Sequence, residues 1–531
     1  RQHFAWSVDD PSDQAPGVPT SRVAEKDNKG DLTMARSTLL IQGVGSVDDL
    51  FSWTVIARGS YEHETDYLND LNNNYVDSVP ILNAGVNLTE QYEQTTSGTD
   101  HRWEFREAFV DFSTGSIDWR IGKQQVIWGE TDVFHPNDVI HGFNFAWHSV
   151  FEPENEEIRK PLLLINAVWD LSEELDGSLQ LIYRPGWDAK EAIGNTYDFQ
   201  GGRWAQNGAR GANFTGLVPI DYKHKDGDYQ DANYGFRWDG TTGEDDDITY
   251  SFSYYHGLAL DPVIVSLLDD PEQAANSSLN LGIGANGPDG SGSNEYGLVS
   301  DTFIYQMVDT FGASLSGYLA ATDAVYRMEV SYTPDRWFGN LNNPNQVSDI
   351  FTANYGRVEE FDVTTITFGY DTNARLMNLI GTSSPGLLSF QVFDTHINNY
   401  DKGTPCKTGG VVAPVNCAGA SGDALVNAFG GIHEQDTWIG TVKFTMPYMN
   451  DTLIYDLTAL WDLSDGGMMF LPSIEKHIGA HWRLRVEGNL FYGGNKGDAF
   501  INSSQVGSDG ASLVGSFDKA SQVVARITFQ F

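Results

Sequence analysis

The stretch from Trp103 to Gln124 reads as two alternating strands around a tight turn, and its two faces cannot share one protein core. Strand side chains alternate between faces, so a single register fixes what each face carries. With Thr114-Gly115 as a two-residue turn, Val110 opposes Trp119, Ala108 opposes Ile121 and Phe112 opposes Ile117, all apolar. The other face collects Glu107, Phe109 and Asp111 against Asp118, Arg120 and Gly122. Burying those charges in a soluble sandwich would cost far more than the apolar face returns. Lipid on one side and a water-filled lumen on the other suits both faces.

The same period recurs to the end of the chain. Val523, Ala525, Ile527, Phe529 and Phe531 alternate with Val524, Arg526, Thr528 and Gln530. This terminal stretch resembles the closing strand of Gram-negative outer-membrane β-barrels, whose last Phe belongs to the assembly signal. Long and short connectors also alternate: 9–32 is long, 43–49 short, 61–102 long, 113–116 short, 125–161 long and 172–177 short. Only Asp465-Gly466-Gly467 and the longish 372–385 disturb the rhythm. Short periplasmic turns and long outer loops give this pattern. We therefore expect an all-β fold, one transmembrane antiparallel β-barrel over residues 1–531, of about 18 strands with 16 as the neighbouring even count. The 18 candidates include a long strand at Phe303–Leu319. Trp53, Trp103, Trp119, Trp169, Trp238, Trp438, Trp461 and Trp482 lie near strand ends, as an interfacial girdle requires.

Composition agrees. No apolar run reaches the roughly 18 residues of a transmembrane helix, and a barrel needs none, because only alternate residues meet lipid. The formal net charge of −41 argues against nucleic acid as a partner. Acidic residues gather between strands, as at Glu244-Asp245-Asp246-Asp247 and Glu152 to Glu157, which suits solvated loops in a saline habitat. Asp226, Asp228 and Asp231 form a weak calcium candidate; no other cofactor or metal is expected. Cys406 and Cys417, in one Gly/Pro/Ala-rich segment, are expected to form a local disulfide in an oxidising compartment. Arg1-Gln2-His3-Phe4 reads as a processed N-terminus. Gly-x-Ser-x-Gly, P-loop, His-Glu-x-x-His and Cys-x-x-Cys patterns are missing, so the sequence points away from catalysis.

Two segments break the strand rhythm. In 125–160, Gln125, Trp128, Glu130, Asp132 and Asn137 precede an aromatic run of Phe143, Phe145, Trp147 and Phe151. Those rings gain little in an exposed loop, so we place this segment inside the lumen as a constriction. Its carboxylates are expected to draw on Arg106, Arg120 or Lys123, the nearest cations in sequence, with Glu107 and Asp111 completing the lumenal set. Pro136-Asn137-Asp138 starts a turn or short helix. The second segment, 256–300, carries Leu258, Leu260, Val263, Ile264, Leu267 and Leu268, with a short apolar helix expected after Pro262. It reads either as an apolar landing surface or as a cap over the barrel mouth.

The runs Arg106-Glu-Ala-Phe-Val-Asp111 and Arg120-Ile-Gly-Lys-Gln-Gln-Val-Ile-Trp-Gly-Glu130 with Asp132 resemble the signature of a large porin-like family of proteobacteria. Arg327-Met-Glu-Val-Ser-Tyr-Thr-Pro-Asp335 and Phe311-Gly-Ala-Ser-Leu-Ser316 are also similar to its pattern. Lys123 stands where Arg is usual, and Phe134-His135-Pro136 varies the approach to Asn-Pro. The family is described mostly as a domain of unknown function and includes alkane-uptake proteins of marine hydrocarbon degraders. The resemblance implies an outer-membrane channel for alkane- or sterol-like lipids, set among outer-membrane lipids and lipopolysaccharide. It further implies a periplasmic lipoprotein and an inner-membrane pump of the resistance-nodulation-division (RND) type as partners. The alternative is a porin for polar or charged solutes, which the lumenal charges suit equally.

Overall fold

The computed structural model describes residues 1–9, 29–48, 50–68, 102–131, 135–148, 155–196, 220–221, 223–224, 227–242, 248–266, 301–340, 358–403, 421–426, 432–464, 466–493, 514–517 and 520–531. Among these, 18 antiparallel strands close into one barrel. In chain order they are β1 (Gln2–Ser7), β2 (Leu32–Val47), β3 (Phe51–Glu62), β4 (Trp103–Thr114), β5 (Ile117–Gln124) and β6 (Leu162–Asp170). Next come β7 (Gly177–Arg184), β8 (Asn233–Thr242), β9 (Ile248–Leu258), β10 (Met307–Leu319), β11 (Ala324–Asn340) and β12 (Val358–Ala374). The last six are β13 (Gly386–Ile397), β14 (Asp436–Tyr448), β15 (Leu453–Asp462), β16 (Met468–Ile478), β17 (Trp482–Tyr492) and β18 (Gln522–Phe529). Each pairs with its sequence neighbour, and β1 closes the ring by pairing with β18, His3 opposite Arg526.

Alternation decides which residue meets which solvent. In β18, Ile527 and Phe529 are exposed outward, whereas Val524, Arg526 and Thr528 are buried inward. Outward positions such as Ile41, Val110, Ile121, Phe252, Ile366 and Val486 form an exposed apolar belt, with Trp53, Trp169, Trp461 and Trp482 also on the outer surface. Such a belt is stable only against hydrocarbon, and in hydrocarbon every backbone group must be paired, which ring closure achieves. The chain is a membrane-spanning β-barrel. No helix among the described residues is long and apolar enough to cross a membrane.

Three expectations need correcting. The first hairpin turns at Gly115-Ser116, because Thr114 pairs with Ile117, and Gly115 supplies a φ of +65°. Val110 therefore faces Ile121 and Phe112 faces Trp119, while Asp111 faces Arg120. Moving the turn by one residue shifts partners by two and leaves both faces unchanged. Second, Phe303–Leu319 is not one strand. Asp301–Ile304 belongs to a small outer sheet and β10 begins at Met307. Third, the segment after Pro262 is not helical. Val263–Ser266 is a strand paired with Asp301–Ile304, as befits three successive β-branched residues, Val263, Ile264 and Val265.

Val110 is 36% exposed on the outward face. Val110→Arg should destabilise the barrel by about 2–4 kcal/mol if it lies near the bilayer midplane, measured by denaturant titration in lipid vesicles. Wild-type stability would reject the assigned faces.

Candidate functional site

The strongest internal constellation begins where β5 stops. Gln124 is fully buried and its amide donates to the Arg120, Gly122 and Leu164 carbonyls, so the chain turns off the wall here. Gln125 donates to Glu107 at 2.8 Å. Val126 and Trp128 then pack with Ile140, Leu162, Leu164, Ile182, Tyr255 and Leu258 in one apolar cluster. Trp128 is 1% exposed, sits edge-on to Tyr255 at 6.0 Å and donates its indole N–H to Gln180 on β7.

Past Trp128 the polar groups of the segment are met by the inward faces of distant strands. Arg237 of β8 donates to the Trp128 carbonyl and reaches Glu130 at 3.1 Å, and Ser314 of β10 donates to the same carboxylate at 2.7 Å. Glu329 of β11 accepts the backbone N–H groups of Glu130, Thr131 and Asn137 at 2.6, 2.7 and 3.3 Å. The Asn137 side chain donates to the Ala313 carbonyl at 3.0 Å. This close approach needs Gly312, where a Cβ would collide with the Asn137 Oδ1.

The far end of the segment reaches other walls. Trp147 lies between the guanidinium groups of Arg36 (β2) and Arg58 (β3), 4.4 and 3.9 Å from its ring. Such stacked cations are worth up to about 2 kcal/mol each when desolvated. His148 meets Glu487 of β17 at 2.9 Å. Arg58 donates to the Glu157 carbonyl, and Arg106 to those of Glu156 and Arg159. Arg159 pairs with Asp138 at 2.6 Å, tying the two arms of the segment together. Contacts thus run from β8, β10 and β11 on one side to β17, β2 and β3 on another.

The expected site residues distribute as follows. Glu107, Gln125, Trp128, Glu130 and Asn137 all join this network, and Asp111 pairs with Arg120 on the wall beside it at 2.7 Å. Lys123 does not join them. It pairs in register with Ala108 and Leu163, on the outer face shared with Trp119 and Ile121. Glu130 draws its cation from Arg237, not from the nearest cations in sequence, because folding brings β8 closer than the flanking strands. Asn137 and Asp138 lie in a turn, with no helix to cap. Leu258 is buried in the apolar cluster; Leu260 is half-buried, and Val263 and Ile264 lie on the outer strand. Asp132, Phe151, Leu267, Leu268, Asp226, Cys406 and Cys417 lie outside the described residues. Asp228 and Asp231 spend carboxylate oxygens on their own turn, accepting from the Gln230 and Asp228 N–H groups.

A second inward stretch, 185–196, was not signalled by sequence. The Lys160 ammonium donates to the carbonyls of Glu191, Ile193 and Gly194 and to the Thr196 hydroxyl. Gly142 and Gly194 make the approach possible, since a Cβ at Gly142 would strike the Gly194 carbonyl. His141 is wholly buried: its Nε2 accepts the Val126 N–H at 2.9 Å, so Nδ1 carries the proton and donates to the Lys160 carbonyl.

Burial pushes the His141 pKa down to about 4 and that of Lys160 down to about 7. The buried His141 ring is held neutral, and the Lys160 ammonium gives up its proton far more readily than an ordinary lysine. As pH falls below their ordinary values only the released side chains take up protons, so stability falls, from 6.5 towards about 4 for His141. Exchange at the Val126 amide, corrected for its intrinsic rate, should therefore accelerate across that window, and His141→Gln should remove the dependence. A flat profile in the unsubstituted protein would overturn the neutral-ring assignment.

The sequence matches no curated protein. Among solved structures it is similar to OccAB1 of Acinetobacter baumannii, at 8% identity over 100% of this chain and 95% of that one, TM-score 0.43. OpdK of Pseudomonas aeruginosa, solved with vanillate, is 9% identical over 99% and 95%, TM-score 0.42. The outer membrane channel DcaP of Acinetobacter baumannii is 7% identical over 100% and 94%, TM-score 0.36. Residues 5–511 match the family described as protein of unknown function (DUF1302), and the chain belongs to that family.

Proposed function

We propose that this porin-like barrel is an outer-membrane channel for hydrophobic small molecules, with 125–160 as its constriction and 256–300 at its outer mouth. The observation that carries the reading is apolar surface on the lumen wall. By the alternation of β2, Leu40 and Val44 point inward with Arg36, and they are 56% and 65% exposed. Ile56 on β3 pairs with Gln42 between them, while Phe109, paired with Thr54 one row along, is covered by the Arg120 guanidinium 4.1 Å from its ring. Cross-strand diagonals of this kind bring side chains within reach of one another. Exposed apolar groups facing an aqueous lumen suit a greasy solute better than an ion. Alkane- or sterol-like cargo, and passage onward through a periplasmic lipoprotein and an RND-type pump, follow from the family resemblance.

A second reading, a porin for polar or charged solutes, draws on the ion pairs of the same wall, Asp111 with Arg120 and Arg327 with Asp371. Uptake and conductance separate the two. Leu40→Asp with Val44→Asp should lower uptake of a labelled long-chain alkane several-fold and leave ion conductance in planar bilayers unchanged. Unchanged alkane uptake would reject the hydrophobic reading. Deleting 133–150 should raise conductance without loss of heat-resistant assembly, and wild-type conductance in that deletion would reject the constriction.

A further inference from the structure

The two ends of the inward segment are held by different physics. At the Trp147 end, beside the His148–Glu487 pair, the anchors are mostly guanidinium groups: Arg36 and Arg58 lie against the indole, and Arg58 and Arg106 grip the carbonyls of residues 156, 157 and 159. Each guanidinium offers several donors, so loss of one contact leaves others in place. At the Glu130 end, beside Arg237 on the Trp128 carbonyl and Ser314 on Glu130, Glu329 is 2% exposed and, among the described residues, its hydrogen bonds come from the segment, chiefly three backbone N–H groups. The nearby guanidinium, Arg237, is committed to Glu130 and Asp239, at 3.1 and 2.7 Å. A carboxylate held by amides makes charge-assisted bonds, and these weaken together when the charge is removed.

We infer that Glu329 is the positioning residue that latches the 128–137 arm across the lumen, and that the segment opens from this end while the Trp147 end stays seated. The inference rests on the reading of 125–160 as a constriction. It needs no change in the barrel, because Glu329 keeps its place in β11, paired with Ser314 on β10 and Thr367 on β12.

The test uses the full-length protein in planar bilayers and lipid vesicles. Glu329→Ala should give a several-fold larger single-channel conductance, and the isosteric Glu329→Gln a smaller rise. Amide exchange should accelerate at Glu130 and Thr131 and stay unchanged at Val126, which His141 holds independently. Loss of a merely structural wall residue would instead raise exchange along β10 to β12. The 133–150 deletion supplies the reference. If the deletion conducts more and Glu329→Ala behaves as wild type, the latch is overturned and the constriction stands. If neither conducts more, the constriction reading falls and the latch with it.

Discussion

The molecule depends on one seam. A strand of six residues, β1, supplies both the last backbone partners of β18 and the first of β2. Without it two long strands would present unpaired amides and carbonyls to lipid, which hydrocarbon does not tolerate. Ion pairs flank the seam on its inner side. Read across the register, Glu475, Arg485, Arg526, His3, Arg36 and Glu62 form one row over β16, β17, β18, β1, β2 and β3. Arg36 and Glu62 are wholly buried and 2.7 Å apart. Breaking one member of such a pair strands an uncompensated charge and costs about 3–5 kcal/mol, so Arg36 and Glu62 hold β2 to β3 on one side, while Arg526 and Glu487 join β18 to β17 on the other.

Closing a sheet of this width leaves a lumen too broad to discriminate on its own. The inward segment answers that geometric problem and creates another, since its backbone groups leave water on entering. The wall meets them with side chains: Arg58 and Arg106 for carbonyls, Glu329 for amides, and Gln180 for the Trp128 indole. Polar residues on the inward faces are therefore the complement of one particular loop as much as a lining for water. The apolar wall of Leu40 and Val44 begins beside Arg58, the cross-strand partner of Leu40, and both side chains stay exposed.

Much of this was legible in the chain. Two-residue alternation gave the strands, because lipid and lumen impose opposite demands on neighbouring residues, and connector lengths gave the topology. The segment at 125–160 announced itself by aromatic rings with no use for water. The partners of that segment were hidden. Glu329 and Arg237 sit on strands far along the chain, and alternation marked them only as inward, with nothing in spacing to pair them with Glu130. Lys123 misled for a different reason: the alternation that put Trp119 and Ile121 outward already put Lys123 there, and its charge was allowed to outweigh that position. The turn at Gly115-Ser116 was missed by one residue because both candidate turns preserve the same faces.

The anchors of the segment come from both ends of the chain. Glu329 lies 198 residues beyond Thr131 in the chain and Glu487 further still, whereas Arg36 and Arg58 lie before the segment. No complete set of anchors exists until β18 has met β1. The complete set is therefore a property of the closed ring, and no run of neighbouring strands supplies it alone.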